Sequence, residues 1–184
     1  MRKGKLFIIS SVAGGGKSTL IGMVLKDYPE CKFSVSVTSR QPRPGDVEGV
    51  TYHFVSKNEF ETLIEKDSFF EWAVVHGNYY GTPKNLIFEN LEKGNNVILD
   101  IDVQGASIVK KKIPECISIF ILPPDTETWI NRLQSRATDN PEEIKKRIKN
   151  GEMELKLSEK FDYRIVNSDL QTAYNELVKI LFQK

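Results

Sequence analysis

Apolar and polar positions along this chain follow two periods in turn. Leu6 to Ile9 is a short continuous apolar run, too short for a buried helix and about right for a strand covered on both faces. It breaks at the small-residue stretch Gly14 to Gly16, after which Leu20, Ile21, Val24 and Leu25 recur at helical spacing until a stop near Pro29. Phe33 to Val37 alternates as a strand, and the following TSRQPRPGDVEG, with two prolines and two glycines, reads as irregular. Ser56 with Glu59 three positions on is a capping box for a helix through about Lys66, with Phe60, Leu63 and Ile64 on one face. Phe69 to Val75 and Asn78 to Tyr80 read as strands around a turn at His76, Gly77 and Asn78. Thr82 is expected to cap, and Pro83 to begin, a helix that stops at Gly94.

The second half repeats the alternation. Asn96 to Asp102 is a second buried-strand pattern, followed by a helix from Val103 to Lys112 and a strand from Ile117 to Leu122. A helix capped by Asp125 is broken at ATDN, and another starts at Asn140-Pro141. A last strand, Tyr163 to Val166, precedes a helix whose Leu170, Ala173, Tyr174, Leu177, Val178 and Leu181 stripe is core. Repeated β then α units imply an α/β fold, a central parallel sheet flanked by helices. The short strands and single helix between Arg40 and Thr82 interrupt that alternation and read as an inserted lobe.

Composition narrows the partners. The 184 residues suit a single domain, and no internal repeat is evident. Lysine plus arginine (26) nearly balance aspartate plus glutamate (25), so the net charge of +1 gives no reason to expect nucleic acid or an anionic membrane as partner. No apolar stretch approaches membrane-spanning length, and the basic start MRKGK is not followed by a usable signal-peptide region, so a cytoplasmic protein is expected. Cys31 and Cys116 have no metal or redox spacing and read as buried small hydrophobes.

The chemistry is concentrated in LFIISSVAGGGKSTL, residues 6 to 20. Consecutive glycines let the backbone wrap an anion with N–H groups inward, and the helix that follows adds its positive end. In the phosphate-loop pattern GxxxxGK[ST], Lys17 reaches the β- and γ-phosphates and the Ser18 hydroxyl serves Mg²⁺. The first glycine of that pattern is Ser11 here, a departure in residue type that keeps small size. The competing reading is a glycine-rich turn without a ligand.

Several separated blocks then give the chain a resemblance to guanylate kinases along nearly its whole length: SSVAGGGKST (10–19), FSVSVTSRQPRPGDVEGVTYHFVS (33–56), FEWAVVHGNYYGTP (70–83), ILDIDVQG (98–105) and RLQSRATD (132–139) with Arg147. The resemblance implies a P-loop nucleoside monophosphate kinase fold with a core (about 1–35, 83–124 and 160–184), a GMP-binding lobe (about 36–82) and a helical lid (about 125–159). It implies transfer of the γ-phosphoryl group of ATP to GMP with Mg²⁺. ATP would be held by Ala13, Gly14, Gly15, Gly16, Lys17, Ser18, Thr19, Arg132, Arg136 and Asn167, although Ser168 departs from the usual neighbourhood of the last. GMP would be held by Ser36, Arg40, Arg43, Tyr52, Glu71, Tyr80, Thr82 and Asp102. Metal would be held by Ser18 and Asp100, and the charges at work in catalysis would be Lys17, Arg40, Arg132, Arg136 and Arg147. The partners implied are ATP and GMP, with dGMP left open, and a monomer or small homo-oligomer.

The chemistry is consistent with this. A phosphate acceptor has a second pKa near 6 and needs no strong general base, so His53 and His76 read as turn or surface residues. Two anions must be brought together, and arginine forks suit that task. On spacing alone Arg132, Arg136 and Arg147 fit a solvated helix face as well. Guanine offers an acceptor and two donors, which a hydroxyl beside carboxylates can read. Glu71 within FFEWAVV is a charge in an apolar strand, costly without a partner. Val12, Ala13 and Ala137 depart from the usual family residues, and Ala137 is expected to stiffen the lid. The rival is a guanylate-kinase-like binding module that docks peptides. Such modules typically lose the phosphate-loop lysine and lid arginines that this chain has.

Overall fold

The computed structural model describes residues 3–75, 77–134 and 141–182. His76, Arg136 and Ala137 lie outside the described residues. The chain divides into two compact units, Met1–Phe7 with Glu30–Cys116, and Ile8–Pro29 with Ile117–Lys184.

Strand β1 (Leu6–Ser11) is buried from Leu6 to Ser10, as expected of an interior strand. It lies in a five-stranded sheet of order β2-β7-β1-β8-β9, with β2 at Lys32–Ser34, β7 at Val97–Asp100, β8 at Ile117–Leu122 and β9 at Tyr163–Val166. Its edges are parallel pairs. Phe33 faces Ile98 in β2 and β7, and Ile121 faces Ile165 in β8 and β9. Helices α1 (Lys17–Asp27), α3 (Lys84–Glu92), α4 (Val103–Lys112), α5 (Thr126–Gln134), α6 (Pro141–Leu157) and α7 (Leu170–Phe182) complete the α/β alternation, and α2 (Lys57–Glu65) falls in the interrupting segment. The expected stripe of α7 is core at Ala173, Tyr174, Leu177 and Leu181. Tyr174 also donates its hydroxyl proton to the Asp27 carboxylate at the end of α1.

The first unit contains a second sheet of order β4-β3-β6-β5, built from β3 (Val37–Thr38), β4 (His53–Phe54), β5 (Phe69–Val75) and β6 (Asn78–Pro83). Helix α2 covers it. Its capping box is complete, with Ser56 Oγ accepting from Glu59 N–H at 3.2 Å and Glu59 Oε2 accepting from Ser56 N–H at 2.7 Å. Phe60 of α2 stacks on Phe69 and Tyr79, with ring centroids 4.4 and 5.0 Å away. A Cβ at Gly81 would come within 2.7 Å of the Phe69 ring, so glycine lets this aromatic stack close onto the sheet.

Three expected elements differ in ways that matter for function. Phe33 to Val37 is two strands in two different sheets, because β2 pairs with β7 and β3 with β4 and β6. Alternation shows an extended chain but not which partner each part takes. Thr82 does not cap a helix. It stands in β6, and α3 opens with Pro83 as its N-cap and no side-chain bond. The strand expected to reach Asp102 ends at Asp100. Asp102 caps α4 instead, its Oδ1 accepting from Gly105 N–H at 2.9 Å, so strand alternation cannot place Asp100 and Asp102 on one face.

Candidate functional site

Two constellations of side chains stand out, one in each unit. In the second unit the chain leaves β1 and winds into a loop whose conformation is set by Gly14 (φ +84°) and Gly16 (φ +90°), both left-handed. Gly15 N–H donates to Val12 O at 3.0 Å, closing a tight turn, and α1 begins at Lys17 directly after Gly16. Lys17 and Ser18 therefore occupy the first turn of a helix, where unpaired N–H groups and the positive dipole end collect. Ser11, where the phosphate-loop pattern has glycine, is accommodated. Its hydroxyl donates to Val12 O at 3.0 Å, and its Cβ lies 3.0 Å from where a Cβ at Gly15 would stand.

The carbonyls of this loop turn outward onto donors. Asn167, which is buried, donates from Nδ2 to Gly15 O at 3.0 Å, and Trp129 donates from Nε1 to Ala13 O at 2.8 Å. Asn167 is thus engaged with the loop backbone itself, a contact that its sequence position does not disclose. Arg132 on α5 has Nη2 3.5 Å from Asn167 O. Arg147 is half-buried on α6, and Arg136, expected one turn beyond Arg132, lies outside the described residues.

In the first unit Arg40 is buried at the end of β3. Its guanidinium lies 5.4 Å from the centre of the Tyr52 ring and 5.6 Å from that of Phe54. It donates from Nη2 to Asp46 Oδ2 at 2.9 Å and from Nη1 to Gln41 O at 2.7 Å. Asp46 also accepts from the Arg43 backbone N–H at 2.7 Å, which folds the turn carrying the exposed Arg43 side chain. Tyr80 meets Tyr52 edge-on, with ring centroids 5.8 Å apart. Burial pushes the Tyr52 phenol well above its ordinary range, with the Asp100 charge acting in the same direction, so the hydroxyl stays a donor. Arg40, Tyr52 and Tyr80 therefore form one group, with Asp46 as its counter-charge.

The same unit holds a buried acid. Glu71 is 5 % exposed, and Thr82, fully buried across the ladder, donates its hydroxyl to Glu71 Oε1 at 2.5 Å. Burial raises the Glu71 carboxyl to about 7. Thr82 opposes this, the Asp102 charge adds to it, and Lys112 opposes it. The other oxygen sits over the start of α4, where a Cβ on Gly105 would lie 2.7 Å from Oε2. Lys112, at the far end of the same helix, donates to Phe70 O at 2.5 Å and lies 5.2 Å from the Phe70 ring centre. Val37 pairs with Gly81 in an antiparallel ladder, so the next step along it brings the buried Ser36 toward Thr82. Ser36, Glu71, Thr82 and Asp102 thus gather around one acidic notch.

Of the remaining expectations, His53 is a surface residue whose Nδ1 lies 3.0 Å from Glu48 Oε1. Cys31 and Cys116 are buried and outside any disulfide, and burial pushes Cys31 up to about 11, which makes it unreactive. Among the described residues no group of three or more His, Cys, Asp or Glu is placed to enclose a metal ion, and no helix is long and apolar enough to cross a membrane. Asp46, Gly105, Lys112 and Trp129 are the functional neighbours missing from the sequence reading. Of these only Asp46 carried a signal, as the acid three and six positions after two arginines in a loop read for its cations.

Comparison with known proteins finds relatives along nearly the whole chain. The guanylate kinase family model matches residues 3–184. A guanylate kinase of Caldanaerobacter subterraneus is 44% identical over 180 residues, covering 98% of this chain and 87% of its own. One from Shewanella violacea is 49% identical over 180 residues, with 97% and 87% covered. The crystal structure of guanylate kinase from Anaplasma phagocytophilum superposes with a TM-score of 0.81 at 33% identity, covering 98% of this chain and 86% of that one.

Proposed function

This chain belongs to the guanylate kinase family, and on that premise we propose how its side chains divide the work of the reaction. It is a nucleoside monophosphate kinase that transfers the γ-phosphoryl group of ATP to GMP, giving ADP and GDP. What supports the assignment of its residues most directly is the acidic notch, a buried Glu71 held by Thr82 at 2.5 Å, in the same unit as the caged Arg40 guanidinium.

In this reading the guanine base enters the notch. Ionised Glu71 and Asp102 accept from its N1–H and N2–H, and Ser36 and Thr82 supply hydroxyls. Adenine would leave buried acceptors unpaired, and sites of this kind reject such analogues by roughly 10⁴-fold. The GMP phosphate takes the place that Asp46 holds on Arg40, with Arg43, Tyr52 and Tyr80 completing the grip. ATP lies on residues 13–19, its β- and γ-phosphates at the N-terminus of α1 and at Lys17. Arg132, Arg136 and Arg147 offset the charge that develops on the transferring group, and Asn167 supports the ATP site through the loop.

The donors assigned to Mg²⁺, one hydroxyl at Ser18 and one carboxylate at Asp100, suit an ion held largely through nucleotide phosphates and water rather than by an all-protein cage. When bound, Mg²⁺ would neutralise charge on the β- and γ-phosphates. No general base is required, since the acceptor phosphate is largely dianionic at neutral pH. A core, a GMP lobe (about 36–82) and a lid (about 125–159) remain the functional partition we favour. A cytoplasmic setting fits a reaction between two soluble nucleotides.

The test is an ADP-release assay with four acceptors. GMP should be used far better than AMP, UMP or dTMP. Equal rates would remove the notch from recognition, and no transfer to any of them would favour the peptide-docking alternative.

A further inference from the structure

A loop that binds an anion through inward N–H groups must turn its carbonyls outward, and a carbonyl so placed needs a donor of its own. Here the donors can be named. Val12 O accepts from Gly15 N–H and from the Ser11 hydroxyl, Gly15 O from Asn167, and Ala13 O from the Trp129 indole at 2.8 Å. The last comes from α5, 116 residues further along the chain.

The surroundings are shaped around that indole. Trp129 is completely buried. Opposite it, α6 carries Gly151 in its interior, and a Cβ there would lie 2.2 Å from Trp129 Cζ2. Glycine inside a helix is less stable than alanine, so its presence here is a concession to the ring. Trp129, Arg132 and Leu133 are spaced i, i+3 and i+4 and share one face. Leu133 Cδ2 and Arg132 Cβ stand 3.7 and 3.6 Å from where a Cβ on Gly14 would be. The helix that presents Arg132 is therefore seated on the loop through Trp129.

We propose that Trp129 is a positioning residue for ATP: its N–H holds the Ala13 carbonyl outward, so that the loop amides face the phosphates, and it keeps α5 in register with the loop. The inference rests on the kinase reading above. Without that donor the Ala13 carbonyl is free to turn toward the phosphates, a change felt more by the ATP-bound state than by the free one, so ATP affinity should fall about fivefold or more.

The deciding experiment replaces the indole by an isostere without the N–H. β-(3-Benzothienyl)alanine is incorporated at position 129 in a Trp72→Phe protein, and binding of a non-hydrolysable ATP analogue and of GMP is measured by calorimetry. The expected result is at least a fivefold weaker analogue Kd, a GMP Kd within twofold of the parent, and a thermal midpoint within a few degrees. Trp129→Phe should move KM for ATP in the same direction with KM for GMP unchanged. If that variant does not fold, the isostere still decides. An unchanged analogue Kd in a folded isostere protein that phosphorylates GMP normally would overturn the proposal and leave the kinase reading intact. A parent protein that bound no ATP analogue at all would overturn both.

Discussion

On the proposed assignment, Glu71 is where one residue would govern GMP recognition through its proton. With the carboxyl at about 7, only about one site in ten is ionised at pH 6, whereas guanine N1–H and N2–H require acceptors. KM for GMP should therefore be about tenfold higher at pH 6 than at pH 8 beyond the contribution of GMP's own phosphate ionisation, and Glu71→Gln should leave only the latter dependence. The same shift has a signed consequence for folding. The native acid titrates above its ordinary 4.5, so between about pH 4.5 and 7 the native state binds more protons than the unfolded one, and stability falls as pH rises through that window. Urea midpoints at pH 5 and pH 8 should show this loss in the parent and less of it in Glu71→Gln. Asp46 gives a second residue-scale expectation. It neutralises a guanidinium that is only 9 % exposed, so Asp46→Asn leaves Arg40 without its ion pair. The ligand-free melting temperature should drop, and GMP should restore more of it than GMP adds to the parent, because its phosphate no longer displaces a carboxylate. An equal GMP increment in both proteins would show that Arg40 is not where the phosphate goes.

At the scale of elements, what was readable in the sequence was what is settled within a few residues. The strand, glycine loop and helix of the phosphate site, and the Ser56–Glu59 box, have determinants ten or fewer residues apart and stand as expected. Thr82 was misread because a threonine before a proline looks like a helix start, whereas its partner, Glu71, comes from the neighbouring strand. Asp102 was misread because an aspartate at a strand end and one capping the next helix look alike until Gly105 N–H is seen on it. Trp129 was invisible because its hydrogen-bond partner lies more than a hundred residues away. The junction of β7 with α4 also explains a glycine that the sequence reading passed over. At Gly105 a side chain would meet Glu71 Oε2 at 2.7 Å and Cδ at 3.3 Å, with Ile101 Cβ also at 3.3 Å. The first is the end of a side chain, which can move, but moving it breaks the Thr82 bond and turns the acid out of the notch. Gly105→Ala should then raise KM for GMP tenfold or more, leave KM for ATP within twofold, and lower the melting temperature by only a few degrees. A loss falling equally on both substrates would mean that α4 itself had been displaced.

At the scale of the whole molecule, the residues assigned to GMP all belong to the first unit, and the described residues assigned to ATP all belong to the second. Transfer needs both ligands, but binding of each should be separable by mutation. Lys17 stands at the head of α1, and the proposed assignment has it meet charge that peaks during transfer, so Lys17→Met should cut kcat by about 10²-fold or more. The residues assigned to the notch belong to the other unit, so GMP binding should survive the change. Ligand-linked stability makes the distinction measurable without turnover. A ligand at a hundred times its Kd adds about 2.7 kcal/mol to the native state, which is several degrees of melting temperature for a chain of this size. In Lys17→Met, GMP should raise the melting temperature as much as in the parent, while the increment from an ATP analogue shrinks. In Glu71→Ala the pattern should reverse, with the ATP analogue keeping its increment and GMP losing most of its own. If both increments vanished in either variant, the two sites would be energetically one, and the division of labour between the units would have to be abandoned.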